Sequence, residues 1–92
     1  NNMPYAYLVR CKDGSYYAGW TTDLKRRLFV HNKGCGAKYT RSRLPVELVW
    51  WQEFAEKGAA MAQEAALKKL SRAAKEELVQ NFKLEMRRSS DG

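Results

Sequence analysis

An aromatic and β-branched run from Pro4 to Cys11 is followed by the polar quartet Lys12-Asp13-Gly14-Ser15 and then by a second such run, Tyr16 to Trp20. Two such segments around an Asp-Gly step predict a β-hairpin. The length of its turn decides which side chains share a face. A two-residue turn at Asp13-Gly14 would pair Lys12 with Ser15 and send Tyr7 and Tyr17 to opposite faces, because side chains alternate along a strand. A three-residue turn through Lys12-Asp13-Gly14, with Gly14 in the left-handed region as a bulge, pairs Cys11 with Ser15 and Val9 with Tyr17. Tyr7 then lies opposite Gly19 and both phenols occupy one face, which is the register we expect. In that register the missing side chain of Gly19 would leave room beside Tyr7 for the backbone of a ligand.

Helical patterning begins after the hairpin. Thr21-Thr22-Asp23 offers capping oxygens, and Leu24 with Leu28 forms one i, i+4 row beside a second made by Asp23, Arg27 and His31, predicting a helix that runs to about Asn32. Leu24 and Leu28 are the core row; Arg27 and His31 lie about 60° round from it, at an edge where side chains are half buried. Gly34 and Gly36 close this helix and open a loop from Lys33 to Arg43. Pro45 then precedes Val46-Glu47-Leu48-Val49-Trp50-Trp51, a third strand by its β-branched and aromatic content. Gly58-Ala59-Ala60-Met61 opens a second helix with Ala60, Met61, Glu64 and Leu67 inward, so that a glutamate stands where an apolar residue is expected. Ser71 caps a third helix from Arg72 to about Phe82, with Ala74, Leu78 and Phe82 inward and Arg72 and Lys75 outward. Beyond it the chain loses apolar periodicity. The expectation is a mixed α/β (α+β) fold in the order β-β-α-β-α-α over residues 1–83, with residues 84–92 as a flexible tail.

Ninety-two residues suffice for one modest core and not for two. No apolar run approaches the roughly 18 residues of a membrane span, and nothing resembles an export signal. Cys11 and Cys35, with no CxxC or His-rich setting, read as reduced thiols, so the expected location is the cytoplasm. The net charge of +7 adds more, because it is unevenly placed. Between Leu24 and Val46 stand Lys25, Arg26, Arg27, Lys33, Lys38, Arg41 and Arg43 without one Asp or Glu, a candidate phosphate-facing surface or, equally, a solvated one. Tyr39 lies within it, placed either to stack on nucleic acid or to anchor the loop.

Tyr5-Ala6-Tyr7, Tyr17-Ala18-Gly19, Leu24-Lys25-Arg26-Arg27-Leu28 and Glu64, in this order on these elements, resemble the GIY-YIG endonuclease domain. The likeness spans Pro4 to about Phe82 and is strongest to small stand-alone bacterial members, with similarity to the catalytic subunit of structure-specific junction nucleases. Ala6 stands for the isoleucine of the first signature, Tyr5 for its glycine and Ala18 for the isoleucine of the second. The resemblance implies a three-stranded antiparallel sheet flanked by helices, a divalent metal, Mg²⁺ or Mn²⁺, and cleavage of DNA. By position it implies catalytic roles for Tyr7, Tyr17, Arg27 and His31, and metal binding by Glu64. In that chemistry Glu64 is a hard oxygen ligand and Arg27 a forked donor to phosphate oxygens. Tyr17 would be general base, Tyr7 would orient the attacking water, and His31 would carry the proton away.

Each of these side chains has a plainer reading: cross-strand aromatics for the tyrosines, a surface charge for Arg27, a helix cap for His31, an ion pair with Lys68 for Glu64. Two other functions remain alongside the nuclease. One is a nucleic-acid-binding module whose catalysis is weak, partner-dependent or lost. The other is a protein-interaction domain that uses Trp50, Trp51 and the last helix. A protein partner or self-association is compatible with any of them.

Overall fold

The central strand of the computed structural model, which describes residues 3–91, is buried on both faces. This strand, β1 (Tyr5–Arg10), lies between β2 (Tyr16–Thr21) and β3 (Glu47–Glu53) in an antiparallel sheet of order β2-β1-β3. Ala6 and Leu8 point to one side and Tyr7 and Val9 to the other, each at most 1% exposed. That double burial explains the nearly continuous apolar run in β1, where a half-exposed strand would alternate.

The hairpin uses the three-residue turn. Gly14 takes φ +84°, its N–H donates to the Cys11 carbonyl at 2.9 Å, and the Cys11 N–H donates to the Ser15 carbonyl at 2.8 Å. Val9 therefore opposes Tyr17 and Tyr7 opposes Gly19. Asp13 reinforces the turn by accepting from the Ser15 N–H and hydroxyl.

Helix α1 (Leu24–Asn32) starts at Asp23, whose carboxylate accepts from the Arg26 N–H at 3.1 Å, and ends where Gly34 turns to φ +81° and the Cys35 N–H reaches back to the Val30 carbonyl. It covers one face of the sheet, where Leu24 and Leu28 pack with Tyr7, Val9, Cys11 and Val46. Helices α3 (Lys57–Lys68) and α4 (Arg72–Asp91) cover the other face through Leu67, Val79, Leu78 and Phe82, against Ala6, Leu8, Ala18, Val49 and Trp50.

Three local expectations are corrected. The basic loop contains a short helix, α2 (Lys38–Arg41), which the charge-rich sequence does not announce. In α3 the inward residues are Ala60 and Leu67, while Met61 is 45% exposed because it sits about a quarter-turn off their line. Helix α4 does not end near Phe82 but continues to Asp91, through a stretch with no apolar stripe. Gly92 lies outside the described residues. Strand β3 also carries a bulge: Leu8 pairs with Trp50 but Val9 pairs with Leu48, so Val49 is an extra residue. Val49 and Trp50 consequently both enter the α3/α4 side, and Leu48 and Trp51 the α1 side.

Candidate active site

The fold brings the two tyrosines and the histidine into one cluster on the α1 face. Tyr7 projects from the middle of β1, and its hydroxyl lies 3.0 Å from His31 Nε2. His31 is completely buried, deeper than the half-buried edge its helical position predicts, because the Lys38–Arg41 turn closes over it. Its Nδ1 lies 3.0 Å from the Thr40 hydroxyl, which in turn donates to the Ala37 carbonyl at 2.9 Å. This chain fixes the direction of every hydrogen. The single Thr40 hydrogen goes to Ala37, so Thr40 accepts from His31 and Nδ1 carries the ring proton. Burial and the nearby Arg27 charge both push the His31 pKa down, keeping the imidazole neutral and leaving Nε2 bare. Tyr7 must then donate to Nε2, which turns the remaining lone pair of its oxygen away from the histidine.

Two glycines make room for this arrangement. A Cβ on Gly19 would lie 2.5 Å from the Tyr7 hydroxyl oxygen, so the space opposite Tyr7 is filled by its own phenol and not by a ligand backbone as its place on β2 suggests. A Cβ on Gly36 would collide with His31 Nδ1 and with the His31 backbone. Gly36 thus sits in the loop to let the backbone pass over the imidazole.

Tyr17 stands beside the chain. Its ring meets His31 edge-on at 5.6 Å between centroids and stacks with Tyr39 at 6.1 Å. Tyr39 also carries the Arg43 guanidinium 4.0 Å from its ring centre. Arg43 in turn donates to Asp13 at 3.1 Å and to the Tyr39 carbonyl at 2.8 Å. Tyr39 and Arg43, both candidates for nucleic-acid contact, also pin the basic loop onto the hairpin, with Tyr39 still 39% exposed. Lys25, Arg26, Lys33, Lys38 and Arg41 are solvent-exposed, with Lys33 lying over the exposed Phe29 ring.

Arg27 lines an apolar crevice with Tyr7, Leu24, Leu28 and His31. Its Nε is buried with no hydrogen-bond partner, an orphaned donor on a permanent charge. The Tyr7 pKa is raised, chiefly by burial; Arg27 opposes the shift by hydrogen bonding and charge, while Tyr17 and Glu64 add to it. Glu64, on α3, is thus near enough for its charge to be felt at Tyr7. Its side chain is 21% exposed and forms an ion pair with Lys68 at 3.7 Å. No cluster of three His, Cys, Asp or Glu side chains exists among the described residues. A lone, largely shielded carboxylate does not suit a caged zinc or calcium ion. It does suit Mg²⁺ or Mn²⁺, which keep most of their shell as water and substrate oxygens. Thr40, Gly36 and Ala37 are the site residues that sequence reasoning missed. A glycine followed closely by a hydroxyl residue just past a candidate histidine was the available signal.

A three-stranded antiparallel sheet flanked by helices in this order is the architecture expected of a nuclease superfamily. The GIY-YIG catalytic domain family matches residues 3–77, and the chain belongs to it. It is similar to the UPF0213 protein of Streptococcus pneumoniae, 57% identical over 86% of this chain and 80% of that one. A UPF0213 protein of Halobacterium salinarum is 51% identical over 83% of this chain and 99% of its own. Among solved structures, a solution NMR structure of a protein from E. faecalis aligns with a TM-score of 0.60 and 43% identity over 91% of this chain and 90% of that chain. That of a UPF0213 protein from Bacillus halodurans aligns with a TM-score of 0.54 and 51% identity over 84% and 82%. GIY-YIG nucleases typically depend on a divalent metal, and membership implies a nucleic-acid substrate. Among the described residues no helix is long and apolar enough to cross a membrane.

Proposed function

We propose that the protein is a metal-dependent endonuclease that hydrolyses DNA phosphodiester bonds, non-specifically or by structure, in DNA repair or processing. The observation that carries this reading is the buried Tyr7–His31–Thr40 chain beside Arg27, whose buried Nε has no partner and which lines one crevice with Tyr7 and His31. Structural cores rarely leave a guanidinium nitrogen orphaned; a site that receives a phosphate oxygen has reason to.

The residues divide the work. Arg27 binds the non-bridging oxygens of the scissile phosphate and meets the charge that grows there. Tyr17, outermost of the two phenols, takes a proton from the attacking water. Tyr7 presents a lone pair that holds this water in line. His31 is too deep and too disfavoured as a cation to carry a proton to solvent, so its part is to hold the Tyr7 hydrogen inward. Glu64 would hold the divalent ion, which when bound supplies charge neutralisation at the phosphate and the leaving oxygen.

The test is nicking of duplex, flap, junction and single-stranded DNA in Mg²⁺ or Mn²⁺, against a chelator control and the Glu64→Ala variant. Metal-dependent nicking by the wild type, with binding retained and cutting lost in the variant, supports the enzyme. Equal DNA binding with no nicking by either protein supports a binding module in its place.

A further inference from the structure

A second cleft, of about 180 Å³, opens at the outer edge of β2 between the hairpin turn, α2 and the start of α4. It is lined by Ser15, Tyr16, Tyr39, Arg72 and Lys75. Each of these side chains ends in a hydrogen-bond donor, two are permanent or near-permanent cations at neutral pH, and none is a carboxylate. Two carboxylates border it: Asp13 accepts from the Ser15 hydroxyl at 2.6 Å, and Glu76 accepts from Arg72 Nε at 3.2 Å. Arg72 also donates to the Gly14 carbonyl at 2.9 Å, so its guanidinium is held still by two acceptors. Lys75 is half buried yet has no carboxylate partner among the described residues. A cation that has lost part of its water without gaining a counter-charge is ready for an anion from outside.

The cleft is linked to the proposed cutting site through packed aromatic rings. Tyr39, one of its walls, stacks on Tyr17 at 6.1 Å, and Tyr17 meets His31 at 5.6 Å. Two ring-to-ring steps therefore separate it from the Tyr7–His31 pair, a span on the order of two or three nucleotides at about 3.4 Å per nucleotide of a helical strand. We propose that this cleft holds a second phosphodiester of the strand being cut, with Lys75 and Arg72 as its ligands. This subsite rests on the nuclease reading. It extends the nucleic-acid surface beyond the basic segment between Leu24 and Val46 to a helix otherwise engaged in packing.

The experiment is fluorescence anisotropy of single-stranded and flap oligonucleotides in chelator, where no cutting occurs, across a salt series. Lys75→Gln, which leaves the Arg72 contacts to Gly14 and Glu76 intact, should weaken binding several-fold at low salt. It should also flatten the slope of log affinity against log salt by about 0.7 to 0.9, the value of one lost phosphate contact. Adding Arg72→Gln should flatten it by a similar further amount, whereas Arg88→Gln, removing the same charge far along α4, should leave it unchanged. A Lys75→Gln slope equal to wild type overturns the subsite while leaving the nuclease reading in place. Wild-type protein that neither binds with a salt slope nor nicks overturns both. Titration with inorganic phosphate provides the last arm: saturable shifts of the Lys75 and Arg72 resonances by phosphate, with none by oligonucleotide, would make the ligand a small phosphate and refute the strand assignment.

Discussion

Replacing Thr40 by valine keeps the volume of a fully buried side chain and removes one hydroxyl, so it isolates the chain that orients Tyr7. The His31 Nδ1–H would lose its acceptor in an interior that water does not reach, at a cost of about 2 kcal/mol for an unsatisfied buried donor. With a urea dependence of about 1 to 2 kcal/mol per molar for a domain of this size, the unfolding midpoint should fall by about 1 to 2 M. The chemical consequence is separate from the stability. Without Thr40 the ring proton has no reason to stay on Nδ1, and a shift to Nε2 would set it against the Tyr7 hydrogen and turn that hydrogen outward. Ring-nitrogen NMR of ¹⁵N-histidine reads the tautomer directly, since His31 is the sole histidine. Wild type and Thr40→Ser should show a protonated Nδ1 and a bare Nε2; Thr40→Val should show a mixture or the reverse. Finding Nε2 protonated in the wild type, or finding Thr40→Val within about 0.5 kcal/mol of wild type with an unchanged tautomer, would refute the reasoning.

Other outcomes follow from the same geometry. Gly19→Ala should cost about 1 to 3 kcal/mol in urea unfolding, as overpacking against a buried phenol bonded to His31, and should remove nicking by displacing Tyr7. Gly36→Ala should act likewise through His31, and a nicking rate equal to wild type in either variant would contradict the crowding. Arg27→Ala should lower the nicking rate by about 100-fold or more, the scale of losing one transition-state donor, while raising stability or leaving it unchanged, because the orphaned donor leaves the crevice. Stability should also depend on pH through His31. Its folded pKa is lowered from the ordinary 6.5, so below about that pH the unfolded chain binds the extra proton and the fold loses stability as pH falls. Urea midpoints of wild type and His31→Gln between pH 7 and 5 should converge at the acid end, and parallel curves would show that His31 does not titrate in unfolding. Above pH 10 the raised pKa of Tyr7 predicts a second decline, absent in Tyr7→Phe.

The hairpin register was legible because one local feature, Gly14 in the left-handed region, fixes the parity of both strands. Helix α1 was legible for a similar reason: its cap, its leucine row and its terminating glycine all agree. Four of the residues that the family pattern selects, Tyr7, Tyr17, Arg27 and His31, gather on the α1 face, while Glu64 stands on α3 with Lys68 as its ion-pair partner, and their roles could not be read in full. His31 sits deeper than its helical angle implies because burial there is decided by α2, a turn that no periodicity marks. Gly19 was noticed as a gap, but only the packed structure reveals that Tyr7 is what fills it. The basic stretch reads as one surface in sequence, whereas folding also engages Tyr39 and Arg43 in contacts with Tyr17 and Asp13. The length of α4 escaped for a different reason. Its second half lacks an apolar stripe, so its helicity rests on good helix formers such as Leu84, Glu85 and Met86 and on continuity with the packed first half.

The unpaired Val49 gives β3 one residue of slack. Because that residue is surplus to the ladder, a chain lacking it could zip Leu48 and Trp50 against Val9 and Leu8 in plain alternation, with neither tryptophan changing sides. Length variation of a single position is therefore admissible in the middle of this sheet, a region where an insertion or deletion would ordinarily turn a strand inside out.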